Sequence, residues 1–123
     1  MPDSVENLQI WKEGVSLVEA VYLATKPWPK EETYGLTSQI RRAAVSIPAN
    51  LAEGIGRGTC LEAARFAQIA LGSLYECDTL LVIAKRLGYI ESDAVMELRD
   101  SCSRLCKQVS GFIAYQRERH DSK

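Results

Sequence analysis

Gln39, Arg42, Ser46, Asn50, Glu53 and Arg57 recur at intervals of three and four, so a helix through them carries a polar edge with both charge signs. Further along, Ser73 and Glu76 interrupt an otherwise apolar strip formed by Ile69, Leu80, Ile83 and Leu87. Two carboxylates such as Glu53 and Glu76 do acid–base chemistry only when held close enough to perturb each other. With Arg42 available, the expected arrangement is instead a structural one. Arg42 and Glu76 form a partly buried ion pair, with Asn50, Glu53 and Ser73 as further members, that fixes the register of thin, alanine-rich helices. Stranding one charge of such a pair would cost about 3 to 5 kcal/mol. Glu53 and Arg57 are also correctly ordered for an i to i+4 surface pair.

Other reactive side chains converge poorly. Ser38, Ser46 and Ser73 have no histidine to activate them, since His120 lies in the polar tail. No glutamate is followed three residues later by histidine, the pattern of di-metal bundles. Cys60, Cys77, Cys102 and Cys106 contain no CxxC pair. Cys102 and Cys106 could share a ligand, but buried reduced thiols on a helix face are the expected state. Gly54, Gly56 and Gly58 alternate as in a phosphate-binding loop, yet they follow a helix and lack the Lys-Ser/Thr ending, so they read as a helix stop. No catalytic residue, cofactor or metal is expected.

The cations offer a different chemistry, phosphate binding. Arg41, Arg57, Lys85, Arg86, Arg104 and Lys107 are the candidate nucleic-acid contacts, with Arg117 and Arg119 also available. A formal net charge of −1 means that any such surface is local. Met1 to Glu32 carries three lysines against six acids, whereas Arg104 to Lys123 carries five bases against two acids. A symmetric assembly would multiply weak contacts into one salt-sensitive site.

Four helices must position these residues, near 8–26, 34–56, 60–87 and 93–116, in an all-α, antiparallel up-down-up-down bundle. Asn7 is the expected N-cap of the first helix, and the Pro27-Trp28-Pro29 segment its stop. Leu8, Trp11, Val15, Val18 and Tyr22 form one apolar stripe of this helix; Ile10, Leu17, Val21 and Ala24 form a second. The double stripe exceeds what a small bundle buries, which predicts a homo-oligomer with strips of the first or third helix at its interface. In the second helix, Leu36, Ile40, Ala43, Ala44, Ile47, Leu51 and Ile55 mark the core face. Pro48 in its middle should kink it or open a turn. Thr59 and Glu62 make a capping box for the third helix, Gly88 ends it, and Ser92 is the expected N-cap of the fourth. Residues 118–123 should fray.

The run PKEETYGLTSQIRRAAVSIPANLAEGIGRG from Pro29 to Gly58, followed by FAQIALGSLYE from Phe66 to Glu76, resembles the bacterial four-helix bundle protein family. That family includes proteins encoded within intervening sequences of large-subunit ribosomal RNA genes and the accessory variability determinant of diversity-generating retroelements. The similarity extends from LQIWKEG at Leu8 through KRLGYI at Lys85. It implies a homo-oligomer, with the pentamer as the family's form, and partners among RNA, DNA or a reverse transcriptase. It brings no catalytic residue.

With 123 residues the chain fits one domain burying roughly two thirds of the surface its unfolded chain exposes. The composition, 46% hydrophobic and 25% charged, is that of a globular protein. No apolar run is expected to span a bilayer and no basic secretory start is seen, so the cytoplasm is the expected compartment. The functional expectation is a non-enzymatic oligomeric bundle binding structured RNA or a nucleoprotein through a repeated basic face. The alternative is a structural or protein-binding scaffold.

Overall fold

The computed structural model describes residues 3–6 and 8–122. A single turn, α1 (Asp3–Glu6), precedes four long helices: α2 (Gln9–Thr25), α3 (Leu36–Gly56), α4 (Cys60–Arg86) and α5 (Ser92–Asp121), with a 3₁₀ turn at Lys30–Glu32. There is no strand among the described residues. Neighbouring helices pack in a ring, α2 on α3, α3 on α4, α4 on α5 and α5 back on α2, with the seams on either side of α4 the most extensive.

α2 buries Ile10, Gly14, Leu17, Val21 and Thr25, so the second of its two apolar stripes faces the core. From the other stripe, Leu8 and Val18 are half-buried against that core and Tyr22 is exposed. Leu8 stands at the N-cap with no side-chain cap; the Asn7 cap lies outside the described residues. At the other end Thr25 Oγ1 donates to the Val21 carbonyl at 2.8 Å. Pro27 then cannot continue the ladder, because it has no N–H.

α3 starts at Leu36, two residues later than the periodicity suggests. The Glu32 carboxylate accepts from Leu36 N–H at 3.1 Å and caps α3 from the preceding turn. Its other oxygen accepts from the Tyr89 hydroxyl at 2.9 Å. This bond to Glu32, then burial and the Glu32 and Glu31 charges, raises the Tyr89 pKa. α3 runs through Pro48 as one uninterrupted helix. Pro48 is buried against Gly14 of α2, where an added Cβ would lie 3.4 Å from the proline Cβ.

Of the three alternating glycines, Gly54 is a packing residue rather than a helix stop. A Cβ there would fall 2.6 Å from Phe66 Cβ and 3.0 Å from the Glu62 carbonyl on α4. The stop is Gly58, at φ 85°. Thr59 Oγ1 then accepts from Glu62 N–H at 3.2 Å, half of the expected capping box. The Glu62 carboxylate turns instead to Arg65 and Arg57.

α4 buries twelve residues, among them Ala67, Ala70, Leu74, Cys77 and Leu81. It is long and apolar enough by composition to cross a membrane, which the sequence reading did not anticipate. Packing against both α3 and α5 accounts for that apolarity. It ends in a Schellman arrangement: Gly88 at φ 80°, with Tyr89 N–H donating to the Ala84 carbonyl and Gly88 N–H to that of Lys85. Ser92 proves to be the first residue of α5, with Glu91 at the N-cap and no side-chain cap. α5 continues to Asp121, five residues past its expected end at 116 and into the stretch expected to fray. Ile113 and Gln116 are the last buried residues of α5; beyond them the helix is exposed, with Arg119 over the Tyr115 ring at 5.6 Å.

Candidate nucleic-acid interface

The six candidate cations do not share one surface of the chain. Arg41 is half-buried and engaged with α2. Its Nε donates to Thr25 Oγ1 at 2.8 Å, its guanidinium to the Tyr22 carbonyl at 3.4 Å, and its Cζ lies 4.5 Å from the Tyr22 ring centre. Lys85 and Arg86 are exposed in the last turn of α4, where cations complement the helix dipole. Arg104 and Lys107 are exposed on α5, with Arg104 donating to Ser101 Oγ at 3.4 Å. Arg57 follows α3, at the end of the molecule opposite Lys85 and Arg86. Those two lie roughly 30 Å from Arg65 along α4.

Around Arg57, however, the tertiary structure builds a cluster. Arg57 and Arg65 each place Cζ 4.7 Å from the centre of the buried Phe66 ring. Arg65 Nε contacts Glu62 Oε2 at 2.9 Å; Arg57 reaches Glu62 Oε1 at 3.8 Å and Glu53 at 3.4 Å, the expected i to i+4 pair. Arg117, carried here by the long α5, lines an open cleft of about 920 Å³ with Thr59, Leu61, Glu62, Ala64, Arg65, Gln68 and Ile69. Arg57, Arg65 and Arg117 thus share one end of the molecule with Glu53 and Glu62 and with Glu118, Arg119 and Asp121 in the last turn of α5. Sequence reasoning missed Arg65. Its signal was its place three residues after Glu62 and beside Phe66.

The polar edge of α3 behaves differently from expectation. Arg42 and Glu76 are both exposed, and no ion pair joins them among the described residues. They flank an open cleft of about 450 Å³ with Tyr34, Ser38, Gln39, Ser46 and Ser73. The α3–α4 link is made by smaller groups: Ser46 and Ser73 hydroxyls lie 2.8 Å apart, and Asn50 Nδ2 donates to both the carbonyl and the hydroxyl of Ser46 at 2.8 Å. Glu53 turns away to Arg57. Alanine and serine let the helices approach so closely that long charged side chains are extruded to the rim. Consequently, Arg42→Ala should change stability by less than about 0.5 kcal/mol in urea unfolding, instead of the 3 to 5 of a buried pair.

Cys60, Cys77 and Cys102 are buried and Cys106 is half-buried, all as free thiols. Interaction with the Cys77 thiol, together with burial, drives the Cys102 pKa far up, and burial raises that of Cys106. Such thiols stay protonated at neutral pH, which makes them poor nucleophiles. Among the described residues no three His, Cys, Asp or Glu side chains are placed to hold a metal ion.

Fold and site together define an all-α, four-helix protein whose distinctive surface is a basic, partly apolar cleft at one end. Residues 6–111 match the family model described as 23S rRNA-intervening sequence protein, and the chain belongs to that family. A similar fold is seen in a crystal structure of a protein of unknown function from the S23 ribosomal protein family of Bacteroides thetaiotaomicron. At 20% identity its TM-score is 0.76, with 85% of this chain and 97% of that chain covered. No curated protein matches the sequence.

Proposed function

We propose that the protein is a non-enzymatic, cytoplasmic, homo-oligomeric bundle that binds structured RNA through a repeated basic edge. The observation carrying this reading is the convergence of Arg57, Arg65 and Arg117 at one end of the molecule. Arg is suited to bidentate phosphate contact, and three guanidiniums from separate segments can offer it together here. The helices in this reading run antiparallel, up-down-up-down. Support comes from contacts in which one number falls as the other rises: Gly14 with Pro48 and Thr25 with Arg41, then Ser46 with Ser73 and Gly54 with Phe66.

Self-assembly is supported by the apolar side chains left exposed at the far end of α4 and its C-cap, Ile83 and Leu87 at 40% and 55%. A pentamer, the form implied by family resemblance, would present the arginine cluster five times. The same exposed strip favours the second reading, a scaffold that binds protein, including a reverse transcriptase, rather than nucleic acid.

A titration of the protein against structured RNA and mixed-sequence duplex DNA at several salt concentrations, with light scattering on the same samples, tests both. Binding should weaken steeply with salt, with a log–log slope of about −0.9 per phosphate contact on duplex DNA. Changing Arg57, Arg65 and Arg117 together to glutamine should flatten that slope, whereas Lys85→Gln with Arg86→Gln should leave it nearly intact. Absence of binding at low salt would remove the nucleic-acid reading and leave the scaffold. A monomer mass at micromolar concentration would remove the oligomer.

A further inference from the structure

We infer that the cleft between the start of α4 and the end of α5 seats an unpaired base of a single-stranded nucleic-acid segment, an inference that rests on the nucleic-acid reading above. A duplex offers a protein surface chiefly phosphates and groove edges, and exposed cations alone would serve it. This site is more than cations. Its apolar lining is Leu61, Ala64 and Ile69, with Leu61 and Ile69 left 52% and 45% exposed. Arg65 and Arg117 line the same cleft, so an apolar surface and positive charge occur side by side.

Arg65 is held rather than free. Its guanidinium lies over Phe66 at 4.7 Å and its Nε is bound to Glu62 at 2.9 Å, which positions a planar group at the cleft wall. Guanidinium planes and apolar side chains are the surfaces on which splayed bases stack, and the phosphate of the same nucleotide falls to a neighbouring cation, here Arg117. Gln68, also in the lining, carries both amide donors and a carbonyl acceptor for a base edge. The occupant that matches this combination has a flat, weakly polar body and an attached anion, as an unpaired nucleotide does.

The test compares three labelled probes of equal phosphate count on the full chain: a single-stranded RNA, the same backbone with abasic residues, and a duplex. The expected result is that single-stranded RNA binds about 10-fold tighter than the abasic probe, the range that stacking of a base supplies. Leu61→Ser with Ile69→Ser should erase that difference while preserving the salt slope. Both side chains are exposed, so the fold should survive, which circular dichroism checks. Equal affinity for normal and abasic strands, with the salt slope intact, would overturn the base-binding cleft and leave the phosphate reading standing. If no probe binds, both fall. Displacement of a bound fluorescent fatty acid from the cleft with no response to RNA would reassign it to an amphiphilic anion and overturn the inference equally.

Discussion

Leu74→Ala should lower the unfolding free energy by about 2 to 5 kcal/mol, toward the upper end of that range. Leu74 is fully buried at the middle of α4, the helix that packs on both α3 and α5. Truncation removes the transfer free energy of its lost methyl and methylene groups and opens a cavity. The core around it is rich in short buried residues, Ala67 and Ala70 on the same helix and Ala43 and Ala44 on α3, which have little side chain to move into a vacated space. Urea unfolding should show a lower midpoint at an unchanged m-value. Tyr75→Ala, next in sequence but 60% exposed, serves as the control and should have a much smaller effect. A Leu74→Ala loss below about 1 kcal/mol would mean that this part of the core repacks freely, contrary to the small-residue packing described here.

Gly54→Ala should destabilise the bundle by about 1 to 3 kcal/mol even though alanine is the better helix former. A new methyl would meet Phe66 Cβ at 2.6 Å, the Glu62 carbonyl at 3.0 Å and Ala63 Cα at 3.3 Å. These are backbone and near-backbone atoms, so α3 and α4 must move apart rather than one side chain turning aside. Gly72→Ala is the matched comparison, because nothing lies within 4 Å of an added Cβ there. Relief of the glycine propensity penalty should make that variant about 0.5 to 1 kcal/mol more stable. The two changes are therefore expected to have opposite signs. Loss of that opposition would show that the α3–α4 approach is looser than the contacts state. Because Phe66 also supports Arg57 and Arg65, Gly54→Ala should, under the proposed function, weaken RNA binding as well.

The four helices were legible in the sequence because burial imposes a period of 3.6 on any helix packed on one side. Ile40, Ile47 and Leu51 on α3, and Val95, Leu98, Cys102, Leu105 and Val109 on α5, are buried as that period requires. Helix ends that depend on neighbours in the chain were also readable: Thr59 caps α4 and Gly88 ends it. Other ends were not. Glu32 caps α3 from four residues upstream while its second oxygen is held by Tyr89 from beyond α4, and α5 runs on through exposed residues to Asp121, past its apolar pattern. The polar pairing was likewise a tertiary outcome. Periodicity places Arg42 and Glu76 on adjoining helices, but how far apart their charged ends lie depends on how closely α3 and α4 approach. That spacing is set by Gly54, Ser46 and Ser73. The arginine cluster belongs to the same category. Arg57, Arg65 and Arg117 come from three different segments, and no local pattern along the chain brings their charges together; the lengths and packing of α3, α4 and α5 do.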